Sequence, residues 1–361
     1  MCRSAFKSAN LLKVSLVTAA AMLAVCFLTF AELMNTAEAA SLPQNGKITF
    51  SGYHYSSQIY AVEPDGSNLR TLTNFDGRFP VGASWSPDGT TMAIGYDEEI
   101  SFLDADGSEL RSLPTHPNRF GDGEDTGTTW SPDGTRLTFT YEKAAPRDTS
   151  DIYTMDLDGS NRINLTNSPN IEELHPDVSP DGSQICLSRR ITRPVPSGET
   201  ELWLMDADGS NLTLLTEDAY DPHCDWSPDG KKIIFEAEGP RSHDVYVINT
   251  DGSGRTNLTD DSELDIDPAW SPDGKKIAFA SYRAGSSNDI YTMDADGSGV
   301  ARVTKTPDVD DRAPEWQPLP PKSGSVTVHP PDTGGLSLLL LAGALLFSGG
   351  VMLYAGVKLR M

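Results

Sequence analysis

Trp85-Ser86-Pro87-Asp88-Gly89 returns as Trp130-Ser131-Pro132-Asp133-Gly134 and as Val178-Ser179-Pro180-Asp181-Gly182. It recurs again at 226–230 and 270–274, and a truncated copy stands at Trp316-Gln317-Pro318. The copies lie 44 to 48 residues apart, a spacing that suits four-stranded propeller blades. The proline presets φ at the first central position of a turn, and the glycine takes a left-handed conformation that other residues resist. A second motif interleaves with the first: Asp65-Gly66-Ser67 recurs with its aspartate at 106, 158, 208, 251 and 296.

Between the motifs run short alternating segments, such as Lys276-Ile277-Ala278-Phe279-Ala280 and Asp289-Ile290-Tyr291-Thr292-Met293. A third run follows each Asp-Gly-Ser, as in Leu212-Thr213-Leu214-Leu215-Thr216. Alternation of β-branched and aromatic residues between Asp-Gly and Pro punctuation reads as strand and turn. Each unit is therefore expected to hold four strands, the first ending at the tryptophan. Such a sheet has two apolar faces and no core of its own, so units must stack around an axis. The region opens at Gly46-Lys47-Ile48-Thr49-Phe50, which matches a second strand, and closes at Trp316, which matches a first. The expected fold class is all-β: a six-bladed β-propeller over 46–318, its last fragment pairing with the first to close the ring. The five motif tryptophans are expected to pack between blades.

These repeats resemble the TolB-like, WD-repeat-like propellers, a group that extends to the dipeptidyl-peptidase family, over roughly 46–318. The resemblance implies function through protein contacts. Neither the extra domain that precedes the TolB propeller nor a peptidase domain is expected, and no Gly-x-Ser-x-Gly elbow occurs.

The segments entering the first strands should form one mouth of the channel. Five positions before the tryptophan stand Pro80, Asp125, Glu173, Asp221, Asp265 and Asp311. The five acids are candidate channel-mouth binding residues, either an attractive funnel for a cation or basic peptide or a set of carboxylates that accept hydrogen bonds from their own turn or the neighbouring blade. Three positions before it stand Gly82, Gly127, His175, His223, Asp267 and Ala313. His175, His223 and Asp267 offer imidazole and carboxylate chemistry suited to a divalent metal, against a water-filled polar lining. No other cofactor and no catalytic set is expected. Two segments break the period, 114–126 and 189–200, and Arg189, Arg190 and Arg193 in the second are candidate loop-binding residues for a carboxylate or phosphate.

The ends carry separate signals. Arg3, Lys7 and Lys13, an apolar run at 14–30 and Ala37-Glu38-Ala39 read as an export signal at 1–39, with an uncleaved anchor as the alternative. Residues 319–335 read as a stalk, and the apolar run at 336–357 has the length of a transmembrane helix. A basic cytoplasmic tail follows at 358–361, with Lys358 and Arg360. Pro330-Pro331-Asp332-Thr333-Gly334-Gly335 resembles an LPxTG cell-wall sorting signal, with Pro330 where that family has leucine. The resemblance implies sortase cleavage between Thr333 and Gly334; a plain membrane anchor is the alternative.

The formal charge of −24, from 52 acidic and 28 basic side chains, argues against nucleic-acid partners. Of four cysteines, Cys2 and Cys26 fall in the export signal, leaving Cys186 and Cys224, whose pairing geometry decides. The expectation is an exported monomer at the cell surface, membrane-anchored or wall-attached, acting as a binding platform for an extracytoplasmic protein or cell-wall glycan. The alternative is a metal-dependent propeller enzyme such as a polysaccharide lyase.

Overall fold

The turn motifs fold as their chemistry requires. In Ser86-Pro87-Asp88-Gly89, the Gly89 N–H donates to the Ser86 carbonyl at 2.8 Å and Gly89 sits at φ 68°. The Ser86 hydroxyl donates to the Asp88 carboxylate at 2.7 Å. The copies at Ser131, Ser179, Ser227 and Ser271 repeat both bonds. In Asp65-Gly66-Ser67 the Ser67 N–H donates to Asp65 Oδ1 at 2.9 Å, an Asx turn that delivers the chain to the sheet edge.

The computed structural model describes residues 43–320, apart from 55–56, 75–80, 97–98, 115–122, 144–148, 192–199, 220–222 and 286. These residues carry 24 strands and no helix, all within the unit Met1–Pro321. The expected leader at 1–39 and everything from 321 onwards, including Thr333 and Gly334, lie outside the described residues. Among the described residues, no helix is long and apolar enough to cross a membrane.

The strands pair as antiparallel meanders. One runs Val81–Trp85, Thr91–Tyr96, Glu99–Asp104 and Glu109–Pro114; another runs Asp265–Trp270, Lys276–Ser281, Asp289–Asp294 and Ala301–Arg302. A twelve-stranded sheet spans 123–257; single bridges, Ser150–Glu172 and Ala219–Ala237, join its three successive four-strand stretches. The remaining sheet joins the two ends of the region: Gln44–Tyr53 pairs on one side with Ser57–Val62 and on the other with Asp310–Leu319, Ile48 opposite Trp316. The closing pairing expected from the sequence is thus present.

The fourth strands are shorter than the sequence suggests, often two residues, as at Arg70–Thr71 and Thr256–Asn257. The repeated Leu-Thr explains it. The hydroxyls of Thr73, Thr166, Thr259 and Thr304 accept the N–H of Ile59, Ile152, Val245 and Ile290. A side chain replaces the next ladder bond, and the edge ends early.

The core lies between meanders. Phe102 and Ala93 of one meet Trp130, Leu137 and Phe139 of the next; Ile234 and Val247 meet Trp270, Ile277 and Phe279. At the seam, Ile48, Phe50 and Trp316 meet Ile266, Ala278 and Ile290. Nine residues after each tryptophan position stand Ile94, Phe139, Leu187, Phe235 and Phe279, with Phe50 at the seam, all at most 1% exposed. Each such side chain contributes about 2–3 kcal/mol by leaving water. The motif tryptophans are all buried. The first strands touch in a closed circuit: Asp310–Leu319, Val81–Trp85, Gly123–Trp130, Ile171–Val178, Asp225–Trp226, Asp265–Trp270 and back to Asp310–Leu319.

Polar stitches hold the seam. Gln317 Nε2 donates to the Gly89 carbonyl at 2.8 Å, and Asn45 exchanges two 3.1 Å bonds with Asp273. Cys186 and Cys224 form a disulfide between neighbouring stretches, 38 residues apart.

A methyl group added at Gly89 would meet the Pro318 carbonyl oxygen at 1.8 Å, whereas one at Gly134, also at φ 68°, meets only Pro87 Cδ at 3.7 Å. Gly134→Ala is expected to cost about 1 kcal/mol of backbone strain, and Gly89→Ala about 3 kcal/mol or more because the seam must open. Urea unfolding of the two variants compares them. The same assay should show a loss of about 3–4 kcal/mol for Cys186→Ser with Cys224→Ser, the loop-closure value for a bridge of this span.

Candidate functional site at the mouth of the inner strands

Four first strands slip register near their middle, at Val81/Ser84, Thr126/Thr129, Leu174/Asp177 and Ile266/Ala269, and the closing strand does so between Arg312 and Glu315. The residue three before the tryptophan position sits in the slip. Gly82, Gly127, His175, Asp267 and Ala313 have φ of 63°, 58°, 52°, 53° and 47°. These are β-bulges, and left-handed φ there explains the two glycines. A bulge takes its N–H off the ladder, so another acceptor must serve it. The preceding second strand supplies one: Ser51 Oγ accepts Gly82 N–H at 3.1 Å, Thr140 Oγ1 accepts His175 N–H at 3.2 Å, and Glu236 Oε2 accepts Asp267 N–H at 2.6 Å. Ten residues after the tryptophan position the other copies have Gly95, Ser188 and Ala280. Glu236 is the one large side chain in that column.

The bulges open onto one pocket. Its wall is built from the three residues before each tryptophan position, contributed in turn by every first strand. The third of each triplet reads Ser84, Thr129, Asp177, Asp225, Ala269 and Glu315. Sequence reasoning missed these three carboxylates, although the same alignment displays them. Asp177 accepts the Trp226 N–H at 3.0 Å and the Thr129 hydroxyl at 2.8 Å, and Asp225 accepts the Trp270 N–H. Burial raises the pKa of both, and for Asp225 the neighbouring charges of Asp177 and Glu315 raise it further. Glu315 is pushed up to about 8, by burial first and by Asp177 second. Carboxylates that share a low-dielectric wall resist ionising together.

His223 and Asp267 meet across the pocket wall. His223 Nδ1 lies 3.2 Å from Asp267 Oδ1 and 3.2 Å from Glu236 Oε1. The rings of His175 and His223 stand 3.7 Å apart between centroids. Burial raises Glu236 to about 7, opposed by its bond to His223. Two members of the candidate metal set, His223 and Asp267, therefore converge with Glu236, which sequence reasoning did not name, and His175 flanks them.

The acids five before the tryptophan are placed differently. Glu173, Asp265 and Asp311 are fully buried and none lines the pocket. Glu173 pairs with Arg189 at 3.1 Å, Asp265 with Arg283 at 2.7 Å, and Asp311 accepts the hydroxyls of Thr304 and Thr306 at 2.6 and 2.5 Å. Among the described residues these three are internal ties and not an open funnel, Glu173 to the neighbouring strand and Asp265 and Asp311 to residues just past strand ends; the physical reason is the bulge, which turns the chain between this position and the pocket. Burial raises all three, Asp311 to about 7. Asp125 pairs through its backbone with Tyr141; its side chain, like the whole of Asp221, lies outside the described residues. Arg189 also covers the Trp203 ring at 4.8 Å, and Arg190 pairs with Glu172. These two arginines are strand residues tied to their neighbours, and Arg193 lies outside the described residues.

Sheets stacked round a closed circuit of first strands, with a pocket at their mouth, define a β-propeller. Residues 95–242 and 222–320 match the TolB beta propeller domain family. The match covers more than half of the chain, which belongs to that family. The chain is 33% identical over 122 residues to an uncharacterized protein of Agrobacterium fabrum, covering 30% of this chain and 39% of that one. It is 32% identical over 122 residues to the Tol-Pal system protein TolB of Anaeromyxobacter dehalogenans, covering 34% of this chain and 27% of that one. The match thus spans well under half the length of these curated relatives. TolB from Acinetobacter baumannii superposes with a TM-score of 0.60 at 22% identity, covering 77% of this chain and 68% of that one. A putative TolB from Agrobacterium tumefaciens gives 0.58 at 19%, covering 76% and 99%. Both share the fold.

The raised pocket carboxyls predict a pH dependence. Glu315 moves from an ordinary 4.5 to about 8 on folding, so between those values the folded chain holds more protons than the unfolded one. That contribution is complete below about pH 4.5 and is lost as pH rises through about 8. Urea midpoints should fall from pH 5 to pH 8, and Glu315→Gln should flatten the slope and stabilise the protein at pH 8.

Proposed function

We propose that this chain is an exported, surface-tethered six-bladed propeller that binds an extracytoplasmic protein through its mouth, and that the partner offers a cationic segment. The convergence of Asp177, Asp225, Asp267 and Glu315 on one pocket carries the reading. A lysine or free amino terminus entering the pocket would let the crowded Asp177, Asp225 and Glu315 ionise, so charge pairing would be coupled to proton release. Membership of the TolB beta propeller domain family and the likeness to a protein named for the Tol-Pal system support a protein partner. A glycan is less suited: sugars stack on open aromatic faces, and the motif tryptophans are buried between sheets. No observation favours catalysis over binding.

A fluorescent hexalysine peptide tests the mouth. Anisotropy should give saturable binding that weakens steeply with salt and at least about tenfold in Asp177→Asn or Asp225→Asn. Equal affinity in both variants and wild type would remove the pocket from the interaction. Export and tethering have their own test. Mass spectrometry of the protein from the cell envelope should place its amino terminus at Ala40, after the Ala37-Glu38-Ala39 motif. A carboxyl terminus at Thr333 marks wall attachment and one at Met361 marks anchoring through 336–357; an intact Met1 excludes the cleaved leader.

A further inference from the structure

The geometry points to a single binding site for a first-row divalent transition ion, Zn²⁺ or Mn²⁺ in class, formed by His223 Nδ1, Glu236 Oε1 and Asp267 Oδ1. The argument begins with what holds each ligand atom. Glu236 Oε2 is committed to the Asp267 N–H at 2.6 Å, and Asp267 Oδ2 to the Ala313 N–H at 3.0 Å. Both donors are bulge amides that have no place in the ladder. Fixing one oxygen of each carboxylate aims the other at the imidazole, and such outer bonds are what orient and tune metal ligands.

The three aimed atoms leave one proton position among too many acceptors. Nδ1 lies 3.2 Å from both carboxylate oxygens, yet a ring nitrogen carries only one hydrogen. All three atoms lie within 4.8 Å of one another. Ligands 2.0–2.2 Å from one ion and 90–109° apart stand about 2.8–3.6 Å from each other, so the two nitrogen–oxygen separations already match the edges of a coordination polyhedron. One imidazole and two carboxylates suit a borderline ion. Two charges offset the ion, and a coordination position stays open, because His223 is 36% exposed and lines the pocket with Asp267.

Sequence comparison between copies sharpens the case. The Glu236 column holds Ser51, Gly95, Thr140, Ser188 and Ala280 elsewhere. A hydroxyl is enough to serve a bulge amide, as Ser51 and Thr140 show. A glutamate serves that amide and has a second oxygen left over, directed at a histidine. His223 and Asp267 are likewise where the repeat diverges, so all three ligands are departures from the consensus that meet in space. The set differs from the one the sequence suggests: Glu236 ligates, and His175 packs beside the His223 ring. A second acidic group, Asp244, Asp261 and Asp265, is not of this kind, because Arg283 already neutralises Asp261 and Asp265.

The inference stands apart from the partner reading, since it concerns an ion and not a peptide. Full-length protein purified in detergent and stripped with chelator is dialysed against Zn²⁺ alone and Mn²⁺ alone at pH 7.5, with elemental analysis and thermal melting. One equivalent of one of these ions should bind and raise the melting temperature. Glu236→Gln and His223→Ala should each weaken binding by at least about 100-fold and abolish the thermal shift, while Glu172→Gln, a surface pair, retains both. The amide introduced by Glu236→Gln keeps a carbonyl for the Asp267 N–H, so the chelator-treated variant should melt close to wild type; should it fail to fold, Asp267→Asn gives the same reading. Failure of both ions to bind stoichiometrically at about 0.1 mM, or an equivalent retained in His223→Ala, overturns the site. Hexalysine binding measured in chelator reports separately on the partner reading.

Discussion

A four-stranded meander of this chain cannot shield its own apolar faces. Phe139 needs Phe102 and Ala93 of the preceding meander beside it, and Phe279 needs Ile234 and Val247. Burial between sheets is the dominant favourable contribution, and it is complete only if the last sheet finds the first. The seam is accordingly where local detail is most constrained: Ile48 opposite Trp316, Gln317 on the Gly89 carbonyl, Asn45 on Asp273. Gly89 has no room for a side chain because of where the chain closes, whereas Gly134, in the equivalent turn of the next copy, carries only the strain of its φ.

Closure also creates the site. Once the first strands form a circuit, the amide released by a bulge needs an acceptor on the neighbouring meander, and for Gly82, His175 and Asp267 a side chain ten residues past the tryptophan position provides it. Where one copy lacks that side chain, another group takes over: beside Ala280, Asp267 Oδ2 accepts the Ala313 N–H. This substitution ties the carboxylate geometry at Asp267, on which the proposed ion site draws, to a structural need of the repeat.

The large acidic excess has two physical parts. The Asp-Gly-Ser aspartates at 65, 158, 208, 251 and 296 are held below the usual carboxylate range by the serine hydroxyl and N–H that follow them. They are solvated turn builders. Asp177, Asp225, Glu236 and Glu315 are pushed the other way by burial. The same residue types therefore serve as permanent surface charge in one setting and as protonatable groups in the other.

The repeat, its strand count, its turn chemistry and the pairing of the two ends were legible in the amino-acid sequence, because each is a local pattern or a matter of phase along the chain. So was the column holding His175, His223 and Asp267, which does reach the pocket. The sequence could not tell that Glu173, Asp265 and Asp311, only two residues earlier, are buried ties: a bulge separates the two columns, and a bulge in a strand carrying histidine or alanine leaves no glycine to mark it. Nor could it show that Asp177, Asp225 and Glu315 share one pocket wall, that Glu236 meets His223, or that Cys186 joins Cys224. Those depend on distances between neighbouring sheets, which stacking sets and no spacing along one strand encodes.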